Sequence, residues 1–291
     1  MRFDSYHPMI NLIYFISIII FTIKFNHPIF ILIAYLSSFV YSVKLKGIKT
    51  LIFNLCLIPL VLLYAAWYSY YNHFGITSLS VNIIGNNITL ESIMFGLARG
   101  MIIATIIMIF TCIFEIFSSD KLVYILGRIS PKGSLYLSIL FRAIPRIKEV
   151  TRRINIAQSG IGRGLNQGNI LRRFINRIRI CSIVVTWIID NFIESVRSMK
   201  SRGYSLKGRT AFSIYRFDNR DRSFIITIFM CLTIILMATA FNQTSIYYNP
   251  RIVINRITPA SYIFYLTYAF FFLLPMVLQI KGELKFRNKL L

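Results

Sequence analysis

Two arginine–glycine pairs, Arg163-Gly164 and Arg202-Gly203, lie in the longest polar stretch of this 291-residue chain. Each pair follows a run of apolar residues at helical spacing. A guanidinium group offers a planar fork of donors that pairs with a carboxylate through two hydrogen bonds, and it stays charged when water is removed. Glycine just past a helix end adopts a left-handed conformation that other residues avoid. The pairs therefore predict two helix ends, each of which presents one cation to an acidic partner.

The same pairs also have an ordinary interpretation as basic helix caps, which the sequence leaves open. With 21 Arg and 14 Gly in the chain, about one such pair is expected by chance, and three occur. The third, Arg99-Gly100, lies in an apolar stretch, where we interpret Arg99 as a snorkelling or pore-facing charge. The other two end equivalent helices of one polar segment. Two similar ends suit a partner with two similar grooves, such as a dimer of ATPase subunits.

The helices that position these arginines lie in a basic segment, residues 118–222. It holds 21 of the 33 Lys and Arg residues and 6 of the 10 Asp and Glu residues, so its net charge is +15 out of +23. Two runs of apolar residues recur there every three or four positions, as in amphipathic helices. Their members are Leu135, Ile139, Ala143, Ile147, Val150, Ile154, Ala157 and Ile161, then Ile170, Phe174, Ile178, Cys181, Val185, Ile188, Phe192, Val196 and Met199. We expect both apolar faces to pack against each other or against the membrane surface.

The first of these helices contains residues that affect its course. Pro145 lacks a backbone N–H, so we expect a bend there, and Arg142 lies on the polar side. Glycine costs a helix about 1 kcal/mol relative to alanine, and Gly160 and Gly162 directly precede Arg163. We therefore expect this helix to stop early and to leave Arg163 in a loop that orders when a partner docks.

The rest of the chain is apolar enough to span a membrane. Its mean hydropathy is +0.64, with 56% apolar and 15% charged residues, which indicates a polytopic membrane protein. About 20 apolar helical residues cross the hydrocarbon core. The predicted class is all-α, with about six spans at 8–23, 29–43, 51–71, 92–117, 223–241 and 259–280, although five remain possible. Three parts follow: residues 1–117 with four spans, the basic segment 118–222, and residues 223–291 with two spans and a basic tail.

The distribution of basic residues predicts the orientation of these spans. Cytoplasmic loops are enriched in Lys and Arg. With six alternating spans, the lysines at 44, 46 and 49, the segment 118–222 and the C-terminal tail share one side with both termini. Arg251 and Arg256 fall on the other side. We expect the basic side to face the cytoplasm from the plasma membrane and to attract anionic lipid.

No set of residues for catalysis or for a bound cofactor stands out. The four cysteines and three histidines lack metal-ligand spacing, and acidic clusters and nucleophile–base sets are missing. Residues 203–210 resemble a phosphate-binding loop, but Arg209 replaces the required lysine and no apolar strand precedes it. Nucleic acid is an unsuitable partner, because the basic residues are spread around membrane-tethered helices. We expect a non-catalytic protein without a cofactor of its own.

Short motifs occur in a fixed order through the basic segment: SDK at 119–121, FRAIPRIKEV at 141–150, AQ at 157–158, GRG at 162–164 and SMKSRGY at 198–204. In this order and spacing the chain resembles the transmembrane T component of energy-coupling factor (ECF) transporters, which import vitamins or metal ions. The resemblance covers residues 90–215. The N-terminal spans resemble the family in hydropathy only, and the C-terminal third does so less clearly.

The resemblance implies an L-shaped α-helical scaffold with two long cytoplasmic coupling helices. In the family, X-Arg-Gly motifs at the ends of these helices dock into two ABC-type ATPase subunits, which bind the ATP, while a separate S component binds the substrate. Gly162 stands where the family usually has alanine, and Arg142 and Pro145 belong to the first coupling helix. The implied ATPase-binding residues are Gly162, Arg163, Gly164, Ser201, Arg202 and Gly203. The substrate and the number of S components served are not implied.

A stand-alone secondary transporter is the alternative function. Such a protein needs ionisable residues within the membrane, or paired broken helices at its midplane. Arg99 and Glu115 come nearest to this requirement, and no internal repeat is visible.

Overall fold

The computed structural model of the chain describes residues 3–81, 87–204, 215–255 and 257–287. Helices make up 79% of the structure, which confirms the predicted all-α class. After a 3₁₀ turn at Phe3–Ser5, the helices are α1 (Pro8–Lys24), α2 (Pro28–Lys46), α3 (Ile48–Tyr71), α4 (Leu90–Ile116), α5 (Ser119–Ile129), α6 (Pro131–Gly160), α7 (Ile170–Ser201), α8 (Asn219–Ala240) and α9 (Pro259–Arg287).

Among the described residues, two short antiparallel hairpins lie in the connections between helices, and the sequence did not predict them. One pairs β1 (Ser78–Val81) with β2 (Asn87–Thr89), between α3 and α4. The other pairs β3 (Ile246–Tyr247) with β4 (Val253–Ile254), between α8 and α9. Strands of two to four residues are too short to produce a recognisable alternation of apolar and polar residues.

Within the part of the chain that the structure describes, five helices are long and apolar enough to cross a membrane: α2, α3, α4, α8 and the Pro259–Leu284 part of α9. A polytopic membrane protein is therefore confirmed. The first predicted span coincides with α1, which is apolar but has only 17 residues.

Contacts between residues divide the chain into two compact units. The first comprises Met1–Ser118 and Tyr215–Leu291, and all five candidate spans belong to it. The second comprises Ser119–Ile214 and contains α5, α6 and α7. It lies within the predicted basic segment, residues 118–222.

Histidine side chains begin the first two helices of the membrane unit. Nδ1 of His7 accepts a hydrogen bond from the Met9 N–H at 3.3 Å, and Nδ1 of His27 accepts one from the Ile29 N–H at 3.4 Å. A proline follows each histidine and occupies the first helical position, where its missing N–H costs nothing. These histidines are therefore explained as helix caps, a role that the sequence did not assign to them.

Small residues bring α3 and α4 into close contact. A Cβ atom added to Gly96 would lie 3.0 Å from the Ala65 Cα, and one added to Gly100 would lie 3.0 Å from Val61 Cγ1. Glycines four residues apart share one helix face and allow the backbones to approach, as is common in membrane helix pairs. Close packing of α3 and α4 therefore explains why a glycine follows Arg99.

Aromatic side chains fill the interior around α1 and α9. The Tyr14 hydroxyl donates to the carbonyl oxygens of Phe271 and Phe272 at 3.0 and 3.2 Å. Phe30 lies edge-on to Tyr268, with 5.0 Å between ring centroids. Edge-to-face pairs of this kind add to the stability gained from burying the rings. α1 is therefore a packed member of the helix bundle.

Ion pairs connect helix ends on one side of the bundle. Lys44 pairs with Glu283 at 2.8 Å, and Lys46 pairs with Glu115 at 3.6 Å. Glu115 therefore has a nearby cation at the end of its helix. Both pairs are about half-exposed, so each contributes at most about 1 kcal/mol.

Connections between helices meet on the opposite side of the bundle. The backbone N–H groups of Asn26 and His27 both donate to the Thr244 carbonyl at 3.1 Å. Lys24 ends α1 beside this contact. It is therefore an exception to the predicted distribution of basic residues, as Arg251 is.

An apolar groove with a volume of about 450 Å³ lies between α2, α3 and α4. Tyr35, Leu62 and Ala98 each contribute to its wall from one of these helices, and Tyr248 contributes from the β3–β4 connection. The face of α4 that borders the groove is distinct from the glycine face that contacts α3.

Candidate functional site: two arginine-bearing helix ends

The end of α6 is closed by a left-handed glycine two residues before the one that the sequence indicated. Ile161 caps the helix, and Gly162 follows with φ of 76°. The N–H groups of Gly162 and Arg163 donate to the carbonyls of Ser159 and Gln158 at 3.1 and 2.9 Å. This is the Schellman pattern, in which the residue after the left-handed glycine completes the cap. Arg163 therefore lies outside the helix.

α7 ends in the same kind of cap, but here the arginine precedes the left-handed glycine instead of following it. Arg202 itself is the capping residue, and Gly203 follows with φ of 74°. Gly203 and Tyr204 donate their N–H groups to the carbonyls of Lys200 and Met199 at 3.0 and 3.1 Å. The prediction of a left-handed glycine after this helix is confirmed.

For the first pair, the corresponding prediction is wrong. Gly164 has no positive φ, because Gly162 already supplies the left-handed residue. Gly164 is buried, and a Cβ atom there would lie 2.9 Å from the Ser159 Cβ. Glycine is therefore favoured at position 164 because a side chain would not fit there, and not because of its backbone conformation. The expectation that the helix stops before Arg163 is confirmed, since α6 ends at Gly160.

Both arginines are exposed, and no described residue forms a hydrogen bond or an ion pair with either guanidinium group. The local electrostatics are strongly positive, since Arg172 and Arg173 begin α7 just after the Arg163 loop. Ser201 is exposed too, and its hydroxyl donates to the Ser198 carbonyl at 2.9 Å. The two guanidinium groups are thus available to a partner with negative charge.

The two arginines lie at opposite ends of α7 and are not brought together. The helix has 32 residues, so its ends are about 48 Å apart at 1.5 Å per residue. Gly162, Arg163 and Gly164 form one end of this arrangement, and Ser201, Arg202 and Gly203 form the other. The two ends cannot belong to one small-molecule pocket.

A cation–π contact joins α6 to α7 between these ends. Cζ of Arg146 lies 5.3 Å from the centroid of the Trp187 ring. Arg142 and Pro145 are both exposed on α6, which continues through the proline. Of the three residues, only Arg146 makes such a contact with α7 among the described residues, and Arg146 is not among the residues predicted for the site.

The apolar stripe of α6 is half-buried from Leu135 to Ile154, but its last two predicted members, Ala157 and Ile161, are exposed. The stripe predicted for α7 is mostly exposed: Ile170, Phe174 and Ile178 are 84%, 65% and 56% exposed. α7 instead buries a different face, formed by Asn176, Ile180 and Val184. Of the two predicted arrangements, packing of the α7 stripe against α6 is wrong, and packing against the membrane surface stays a prediction. This stripe remains uncovered by the described residues.

Each of the two helix ends presents one exposed guanidinium group, that of Arg163 or that of Arg202. Among the described residues, no group of three or more His, Cys, Asp and Glu side chains could hold a metal ion. The run that resembles a phosphate-binding loop lies outside the described residues from position 205 onward. No protein-family model matches the chain, and no curated protein matches it.

Proposed function

We propose that this chain is the transmembrane scaffold, or T component, of an energy-coupling factor importer. The observation that carries the proposal is the placement of Arg163 and Arg202 beside opposite ends of α7, a helix of 32 residues that is about 48 Å long. That separation suits two separate protein subunits. Each exposed guanidinium group would pair with a carboxylate on one of two ABC-type ATPase subunits.

The exposed stripe of α7 supports a second partner, the substrate-binding S component. Ile170, Phe174 and Ile178 form a large apolar surface that the described residues leave uncovered. Contiguous exposed apolar patches mark protein or membrane contacts. A membrane-embedded S component would cover this surface and the apolar faces of the spans, and it would bind the imported vitamin or metal ion.

The proposal includes six spans, with α1 as the first. Its 17 residues are about 26 Å long and fall at the short end of the range for a membrane helix. Its contacts with α9 through Tyr14 support this assignment. Six spans would place both termini and residues 118–222 in the cytoplasm, beside the plasma membrane.

In this proposal the chain itself is not an enzyme. ATP would be bound and hydrolysed by the partner ATPase subunits, and this chain would carry their motion to the S component. The basic groups near the membrane would also attract anionic lipid, each by about 1 kcal/mol.

Co-purification with a tagged full-length chain tests the proposal directly. We expect two ATPase subunits and a small membrane protein to copurify in fixed stoichiometry. Changing Arg163→Ala and Arg202→Ala together should remove the ATPase subunits, because arginines at the centre of an interface contribute about 2 kcal/mol or more each.

The matched control changes Arg152→Ala and Arg197→Ala, which removes the same charge from exposed positions within α6 and α7. This control should assemble and transport normally. Normal assembly and transport by the Arg163 and Arg202 double variant would refute the proposal. Solute movement by the purified chain alone in vesicles would favour the secondary transporter.

A further inference from the structure

Residues 161–169 connect α6 to α7. After the backbone cap of α6 ends, amide side chains form hydrogen bonds that fix this connection. Gly164 donates its N–H to Oε1 of Gln167 at 2.8 Å, and its carbonyl accepts a hydrogen bond from Nδ2 of Asn176 at 3.2 Å. The residue next to Arg163 is thereby bonded through both of its backbone polar groups.

The same kind of side chain ties this connection to both helices. Asn155, on α6, accepts the Leu165 N–H at its Oδ1, at 3.0 Å. Gln167 Nε2 donates back to the Ser159 carbonyl on α6 at 3.1 Å. Asn176 reaches the connection from α7. We call Asn155, Gln167 and Asn176 the amide clamp.

Asn176 is the buried member of the clamp, with 7% of its surface exposed. Burying a carboxamide is unfavourable unless its hydrogen bonds are satisfied. A leucine would fill the same face of α7 without that requirement. The asparagine is therefore explained by the carbonyls that it bonds, Gly164 at 3.2 Å and Gln167 at 3.5 Å.

The second arginine has no comparable support among the described residues. Its helix end is closed by backbone hydrogen bonds of Gly203 and Tyr204 and by the local bond of Ser201 to Ser198. Arg202 belongs to the helix end itself, whereas Arg163 lies beyond the end of α6. A clamp is needed only where the arginine is carried by a loop.

We propose that the amide clamp fixes the Arg163 loop in its docking conformation before the partner arrives, and that Asn176 is the positioning residue at its centre. This inference rests on the proposed docking of ATPase subunits. A loop that is already ordered loses little conformational freedom on binding, so more of the interaction free energy appears as affinity. Under this proposal the loop is ordered before docking, and does not order on docking as the sequence predicted.

Amide hydrogen exchange on the purified full-length chain, without partner, measures the clamp alone. Asn176→Leu should speed exchange in residues 161–169 at least tenfold. The double variant Asn155→Ala, Gln167→Ala tests the same clamp through side chains that are not fully buried, so a folding defect of Asn176→Leu does not decide the result. The matched control is Asn191→Leu on the same helix, since the Asn191 amide bonds the Trp187 carbonyl one turn earlier and no other described residue. It should leave exchange in the loop unchanged.

A double-mutant cycle of affinity for the ATPase subunits separates positioning from a general structural role. In the Arg202→Ala background, Asn176→Leu should weaken binding at least fivefold. In the Arg163→Ala background it should have no further effect, because the group that it positions is already gone. A purely structural defect would weaken binding equally in both backgrounds.

Unchanged loop exchange in both clamp variants would overturn the inference, and so would faster exchange with unchanged affinity or equal losses in both backgrounds. If the unaltered chain binds no ATPase subunit, the proposed function fails and the docking role of the clamp fails with it. The exchange result still shows in that case whether the clamp orders the loop, so the two failures are distinguishable.

Discussion

Gly162 and Gly203 occupy the same position in two Schellman caps, with φ of 76° and 74°, but Arg163 follows the first glycine and Arg202 precedes the second. The two guanidinium groups therefore leave the ends of α6 and α7 from different points of the same motif. Partners that dock at these ends meet one arginine on a helix end and one on a clamped loop. In the proposed complex the two contacts would therefore not be interchangeable.

The left-handed conformation of Gly162 gives a prediction for stability. A side chain in this conformation costs about 1 kcal/mol or more, and no atom lies within 4 Å of the added Cβ, so Gly162→Ala should destabilise through the backbone alone. Gly160→Ala is the control, because Gly160 is helical and equally open. It should instead stabilise by up to about 1 kcal/mol. Thermal unfolding of the detergent-purified chain measures both, and equal shifts would contradict the assigned cap.

The Arg146–Trp187 contact predicts an energetic coupling between α6 and α7. Cation–π pairs near a surface contribute about 0.5–1 kcal/mol. A double-mutant cycle with Arg146→Met and Trp187→Leu, read from thermal unfolding, should give a coupling of that size. The cycle with Arg142→Met and Trp187→Leu should give none, since Arg142 is exposed and contacts no ring in the described residues. Equal coupling in both cycles would rule out a specific contact.

Close packing of α3 and α4 predicts a position-dependent response to valine in α4. Gly100→Val should destabilise by about 1–3 kcal/mol, because its Cβ atom alone would lie 3.0 Å from Val61 Cγ1, closer than an ordinary carbon–carbon contact. Ala98→Val, two residues earlier, should be tolerated, since Ala98 borders the open groove. Thermal unfolding in detergent distinguishes them. Similar losses for both variants would mean that the glycine face does not control the packing.

His27 predicts a pH dependence of stability. Burial lowers the pKa of His27 from its ordinary value of 6.5, so the folded chain keeps the imidazole neutral. The unfolded chain takes up the proton more readily, and the free energy of unfolding therefore falls as pH drops below 6.5 and stops falling below the lowered pKa. His27→Asn keeps a capping acceptor that does not titrate and should flatten this slope. Unfolding temperatures from about pH 5 to pH 8 measure it, and an unchanged slope would exclude His27 as the cause.

Helical periodicity and apolar length predicted most of the elements, because both are local properties. The spans, α6 and α7 could be located this way, as could the early stop of α6 at Gly160. Which glycine takes the left-handed conformation could not be predicted, because Gly160, Gly162 and Gly164 occupy every second position. Only the observed hydrogen bonds show that Gly162 takes the left-handed conformation.

Tertiary contacts account for what the sequence missed at the candidate site. The face of α7 that contacts α6 combines Asn176 and Trp187 with apolar side chains, so a search for apolar residues alone selects the wrong face. Asn155 and Gln167 carry no signal in the sequence either, because amides are common on exposed helices and loops. Their role depends on a loop conformation that brings residues up to 12 positions apart into contact.

Pro145 determines where the pair of helices α6 and α7 can bend. It offers no N–H to the Phe141 carbonyl, so α6 lacks one rung of its hydrogen-bond ladder just before Arg146. Arg146 and the amide clamp tie everything on the far side of that gap to α7, which contains neither proline nor glycine. Bending would therefore occur mainly at Pro145. Arg163 and Arg202 would then move together about this point as parts of one rigid body.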